Sequence, residues 1–210
     1  MTEGYIQHQK KQAEKIIQAT EDLYLEGGID SFTMGDIADT AGITRATVYN
    51  YFTCKEDILW AIFFGKMAEL IPRVDEKFKT ATTTLERFRA YAEANYEFYL
   101  EDKTFAIFFD LFLTIFSTAS EKPKSFWDNP YNVSHWQPGK TVAAFNENFD
   151  DGSICKGLDA KTTVPAFYYA FLGTISFDFK NRKDLEKIYK LDLRKILQMQ
   201  VGWILSGIQG

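Results

Sequence analysis

Six residues within one short window, Thr44, Arg45, Ala46, Thr47, Tyr49 and Asn50, carry the most suggestive chemistry in the chain. An arginine fork can donate two hydrogen bonds to guanine, a threonine can donate or accept at base edges, and an alanine or threonine methyl can meet the methyl of thymine. Tyr49 and Asn50 can hydrogen-bond phosphate oxygens. Lys55, near the start of the next helix, adds a cation where free backbone amides already favour anions. Catalytic chemistry is poorly served by comparison. There is no Gly-x-Ser-x-Gly elbow and no phosphate-cradling glycine loop, and His8 and His135 lie far apart in the sequence. The two cysteines, Cys54 and Cys155, and the two histidines lack metal-ligand spacing. No enzyme, metal or cofactor is expected. Cys54, at a helix start beside Lys55, has a setting that can lower a thiol pKa, against the plainer reading of an inert small residue.

The elements that must hold the 44–50 window are legible from periodicity. Ala13, Ile16, Ile17, Thr20, Leu23 and Tyr24 recur at three-to-four spacing and predict a first helix that Gly27-Gly28 stops. Thr33-Met34-Gly35-Asp36 has the form of a capping box opening a second, short helix, with Met34, Ile37, Ala38 and Ala41 inward. Gly42 suits a left-handed turn, and Thr44 can cap a third helix to about Asn50. Two short helices joined by Ala41-Gly42-Ile43 have the shape of a helix-turn-helix, closed by Ile37, Ala38, Ile43, Val48 and Phe52. In that motif the N-terminal end of the second helix enters the major groove.

The run from Phe32 to Leu59 closely resembles the DNA-binding domain of tetracycline-repressor-type (TetR family) regulators. The resemblance rests on Thr33, Asp36-Ile37-Ala38, Ala41-Gly42-Ile43-Thr44, Val48-Tyr49-x-Tyr51-Phe52, Lys55-Glu56 and Ile58-Leu59. It implies that Thr33, Tyr49, Asn50, Tyr51 and Lys55 touch phosphates and that Thr44, Arg45, Ala46 and Thr47 lie at base edges. Thr33 and Thr44 have simple helix capping as a competing role. Position 46 is often glycine in this family, and Ala46 keeps the small size; Asn50 stands where bulkier aromatic or basic residues are common.

The resemblance also implies a fold plan: all-α, about nine helices, with a helix-turn-helix domain over residues 1–55 and a helical regulatory domain over 56–210. Further helices are expected from Cys54 into the seventies, where Pro72 ends or kinks the helix, and at about 83–101, 104–118, 140–151, 160–179 and 184–206. A long loop at 119–139 carries Pro123, Pro130 and Pro138. From residue 61 on there are 27 aromatics. They form either core and dimer seam or the lining of an apolar cavity, the usual form of a small-molecule site. Asn95, Phe98, Phe105, Phe109, Phe112, His135, Phe167 and Phe171 are the candidate lining. Family members bind an inducer there and pair their last two helices into a two-fold dimer that matches a palindromic operator. The expected function is therefore a ligand-responsive regulator, a repressor released from double-stranded DNA by an apolar or aromatic small molecule. A regulator controlled by a protein partner is the alternative, and an enzyme using the aromatic cavity is a remote one.

Charge sets a constraint. Residues 1–55 hold five Lys/Arg against eight Asp/Glu, a net of −3, and the whole chain carries −5. No global basic field announces a nucleic-acid binder, so any contact depends on locally placed cations. Lys10, Lys11 and Lys15 form either a solvated helix face or a set of phosphate contacts. No secretory pattern opens the chain, and the longest apolar stretch, Phe105–Ala119, carries Asp110 and falls short of the ~20 residues a membrane span needs. A cytoplasmic location without a membrane partner is expected.

Overall fold

The computed structural model describes residues 3–102, 104–105, 107 and 143–210. Helix α1 spans Glu3–Gly27, and a single 3-10 turn, Ile29–Ser31, follows it. Gly28 takes φ 82°, a left-handed value that costs a glycine little, so the chain can leave α1 and turn at once. Helix α2, Met34–Ala41, opens on the expected capping box. Thr33 accepts from the backbone amides of Gly35 and Asp36, while the Asp36 carboxylate accepts from the Thr33 amide at 2.7 Å. Gly42 closes α2 at φ 65°, and the Ile43 amide donates to the Ala38 carbonyl at 3.0 Å. Helix α3 follows over Arg45–Tyr51.

Ile37, Ala38 and Val48 are fully buried, with Ile43 and Phe52 half-buried beside them. This small core does not close on itself. Ile16, Ala19 and Tyr24 of α1 join it, and so do Ile58, Leu59, Ile62 and Ile107. A domain boundary at 55/56 would therefore cut through packed side chains, because the first two turns of α4 belong to the N-terminal core.

Helix α4, Lys55–Phe78, continues past Pro72. The expected stop does not occur there; the apolar positions Leu70 and Val74 on either side are buried and hold the helix together, while Pro72 itself is exposed. Helix α5, Thr84–Glu101, is capped by Thr83 in a second capping box with Glu86. Helix α6 spans Ala160–Lys180, with Asp159 accepting from the Thr162 amide at 2.9 Å. The expected helix at 184–206 is interrupted. A π-type turn covers Asp184–Ile188, Lys190 takes φ 55°, and α7 begins only at Leu193, capped by Asp192 through the amides of Arg194 and Lys195. The capping signal of Asp192 wins over the apolar periodicity that spans it. Of the expected helix at 140–151, residues 143–146 are helical and turns follow; the rest of it, most of 104–118 and the loop at 119–139 lie outside the described residues.

The larger core packs α4, α5, α6 and α7 around Phe63, Phe64, Phe88, Phe98, Tyr99 and Phe171, all buried. Among the described residues there is no strand, only a single bridge between Ile154 and Gln209, and no helix long and apolar enough to cross a membrane.

Candidate nucleic-acid interface

Helix α3 sits across α2 with its outward face unobstructed. Thr44, Arg45, Ala46, Tyr49 and Asn50 are exposed, Tyr49 at 55%, and Thr47 and Tyr51 are half-buried. The seven residues of α3 begin with Thr44 as N-cap: its Oγ1 accepts from the Thr47 amide at 3.1 Å and lies 2.8 Å from the Thr47 hydroxyl. The two threonines thus orient each other, so a base edge approaching either meets a hydroxyl already fixed in direction. The Arg45 guanidinium does not extend along the helix. It folds back over Gly35 of α2.

Two expected phosphate contacts stand differently. The Thr33 hydroxyl is exposed, yet it donates to Asp36 at 2.7 Å while accepting from the first turn of α2, so capping occupies it. Those bonds from Thr33, with burial opposing and the Arg45 charge adding a little, hold the Asp36 carboxyl below its ordinary value. Lys55 turns inward: its Nζ donates to the carbonyls of Ile29 at 2.6 Å and Phe32 at 3.2 Å, and stands 4.9 Å from the centre of the Phe32 ring. These carbonyls lie at the start of the 3-10 turn and just past its end, and the ammonium of Lys55, the first residue of α4, bridges them. Lys55 is therefore a tie between α4 and the turn before α2, not a free phosphate contact. At Cys54 the plainer reading is the one favoured: burial pushes its thiol up, and neighbouring Glu56 and Asp57 add to that against an opposing backbone hydrogen bond at Asp57.

The candidate pocket residues that the structure describes come together, but as packed core. Phe98 stacks on Phe105 at 4.0 Å between ring centres, Phe167 on Phe171 at 6.1 Å, and Phe88 lies 4.7 Å from Phe167. Asn95 is fully buried; its Nδ2 donates to the Tyr91 carbonyl at 2.8 Å, and among the described residues its Oδ1 has no hydrogen-bond partner. Phe109, Phe112 and His135 lie outside the described residues.

One joint between the two cores was not read from the sequence. Lys66 of α4, 8% exposed, donates to Asp102 at the end of α5 at 2.7 Å and pairs with Glu21 of α1 at 3.6 Å. Burial disfavours the Lys66 ammonium, but the bond to Asp102 and the two negative charges outweigh it and raise its pKa. For Glu21 burial wins over Lys66, and its carboxyl is pushed up. Asp102 is lowered, since its bonds from Lys66 and Thr104 outweigh burial. A signal was available: Lys66 is a cation one residue beyond the apolar run Ile58–Phe64, and Glu21 follows the half-buried Ile17 at helical spacing and adjoins the buried Thr20. A cleft of about 300 Å³ lies beside this joint, lined by Ile17, Gln18 and Glu21 of α1 and Ala61, Gly65 and Lys66 of α4.

Comparison with known proteins agrees with this architecture. Residues 16–62 match the family model of "Bacterial regulatory proteins, tetR family". The fatty acid metabolism regulator protein of Bacillus subtilis is 32% identical over 93 residues, 44% of this chain and 48% of that protein. The HTH-type dhaKLM operon transcriptional activator of Lactococcus lactis is 36% identical over 98 residues, 45% and 52% of the respective lengths. The chain spans about half the length of these curated relatives. The solved structure of the Bacillus subtilis transcriptional regulator FadR in complex with stearoyl-CoA superposes with a TM-score of 0.66 at 22% identity, over 93% of this chain and 99% of that one. A TetR family regulator from Marinobacter aquaeolei superposes with the same score at 17% identity, over 97% and 98%. At these identities the structures speak to the fold, and they extend it beyond the matched N-terminal region to nearly the whole chain. Residues 16–62 thus match the N-terminal domain of TetR family regulators, and the fold of nearly the whole chain is the one such regulators share.

Proposed function

We propose that this chain works as a two-fold dimer that binds a palindromic DNA operator through α3 and releases it when an apolar small molecule occupies the regulatory domain. The observation that carries the DNA reading is the exposed face of Thr44, Arg45, Ala46, Tyr49 and Asn50, with the half-buried Thr47 beside it, on a short helix preceded by the left-handed turn at Gly42. Thr44, Arg45, Ala46 and Thr47 read base edges, and Tyr49, Asn50, Tyr51 and, through its cap, Thr33 position the phosphates. Lys55 supports the turn behind them.

Dimerisation is supported by α6 and α7. These helices pack on each other yet leave Tyr169 at 59% exposed, Phe177 at 63%, Met199 at 55% and Trp203 at 67%. Tyr169, Gly173 and Phe177 share one helical stripe, and Gly202 adjoins Trp203, so large and small positions alternate as a self-complementary seam requires. Two copies of α3 one helical turn of DNA apart, ~34 Å, then match a palindrome.

The effector reading rests on the aromatic interior and on the relative bound to stearoyl-CoA, which makes a long acyl chain the first compound to try. The close stacking of the described rings favours a second reading, a regulator that needs no small molecule and answers to a protein partner. Selection of DNA from a random pool, followed by titration of the selected complex with stearoyl-CoA, tests both. Enrichment of a palindrome supports the DNA reading, and no enrichment overturns it. Release by the acyl compound supports the effector reading, and retention together with no thermal stabilisation favours the partner-controlled one.

A further inference from the structure

Arg45 does not reach freely into solvent from the first turn of α3. Its guanidinium lies against the backbone of Gly35 in α2, so close that a Cβ built on Gly35 would stand 2.8 Å from both Cζ and Nε and nearer still to Nη2. Gly35 is itself buried, by this side chain among others. Yet Arg45 makes no hydrogen bond and no ion pair within 4 Å among the described residues, so its N–H groups remain available to a ligand. Beside it the Asp36 carboxylate, clamped by the Thr33 amide and hydroxyl, draws the guanidinium to this side. An arginine at the start of an exposed helix is otherwise free to sample many rotamers, and ordering it on binding is costly. A seat without a side chain restricts that freedom while leaving the donors open.

We propose that Gly35 is a specificity-determining position: by lacking a Cβ it gives the Arg45 guanidinium a seat on α2, and the seat sets the angle at which Arg45 meets a base pair. The inference rests on the DNA-binding reading above and deepens it. Gly35→Ala is the direct perturbation. The second residue of a helix accepts alanine readily, and the atoms displaced are the far end of a flexible side chain, so folding is retained while the seat is filled.

Wild type, Gly35→Ala, Arg45→Ala and the double variant are each used to select DNA from a random pool and are then compared by competition at every position of the selected site. In the wild type the base pair read by Arg45 is discriminated about 5- to 150-fold. Gly35→Ala is expected to flatten preference at that same base pair, with an unchanged or higher melting temperature, and to add nothing in the Arg45→Ala background. Unchanged preference in Gly35→Ala, tighter binding by it, or an equal loss with and without Arg45 overturns the inference while leaving the DNA-binding reading intact. Failure of the wild type to enrich any sequence overturns both. A second measurement needs no DNA and no variant: among the six arginines, the Arg45 Nε–Hε resonance of the free protein is expected away from the solvent-exposed position, and a solvent-like resonance there overturns the seat.

Discussion

At the scale of single residues, two polar side chains near α3 have duties inside the protein. Because the Lys55 ammonium is spent on the Ile29 and Phe32 carbonyls, Lys55→Met is expected to lower the melting temperature. It leaves the slope of log affinity against log salt unchanged, since a cation lost from a phosphate would reduce that slope by about 0.9. Titration of operator binding at several salt concentrations checks this. Arg45→Ala is expected to behave in the opposite way, with little effect on stability and a loss of about 1–3 kcal/mol at one base pair of each half-site. For Thr33 the capping bonds argue that Thr33→Val costs about 1 kcal/mol of stability whatever it does to DNA, which thermal unfolding measures without any ligand.

At the scale of elements, the Glu21–Lys66–Asp102 joint ties α1, α4 and α5 together, and so connects the DNA-binding core to the end of α5. Removing one member of a buried ion pair leaves the others uncompensated. Lys66→Met is thus expected to cost about 3 kcal/mol and to split thermal unfolding into two steps, with α1–α3 melting first. Adding Glu21→Gln should recover part of that loss, because it removes a buried charge that Lys66 neutralises only in part; the double variant's unfolding curve decides this. The start of α5 depends on a different carboxylate. Asp151 accepts from the Thr84 amide at 2.6 Å and the Ser153 amide at 2.9 Å, and although burial opposes it the Ser153 hydroxyl together with these amide bonds lowers its pKa to about 2. A depressed carboxyl stabilises the fold above its ordinary pKa of 3.8 and loses that contribution as pH falls toward 2. The gap in melting temperature between wild type and Asp151→Asn is expected to be full at neutral pH and to close progressively below pH 3.8, as measured by melts across that range.

At the scale of the whole molecule, the exposed aromatics of α6 and α7 and the net charge of −5 act together. On the proposed function, an acidic chain reaches DNA through a few well-placed cations that a dimer presents twice. Trp203→Glu, at the centre of the exposed stripe of α7, is expected to convert the dimer to monomer in sedimentation velocity and to abolish operator binding without altering α3. Preserved dimers would move the seam elsewhere.

Much of this was legible in residue order because it is local. The capping box at Thr33, the stop at Gly28, the left-handed Gly42 and the cap at Thr44 each follow from a backbone preference acting over three or four residues, and so did the helix-turn-helix they build. What tertiary structure alone decided concerns groups far apart in sequence. Lys55 meets carbonyls more than twenty residues away, Lys66 finds Asp102 thirty-six residues on, and the N-terminal core borrows Ile58, Leu59 and Ile62 from the helix assigned to the other domain. Burial converts such encounters into structure, since a buried cation or carbonyl must find a partner and an apolar face must be covered, and neither partner nor cover is named by its neighbours in the chain.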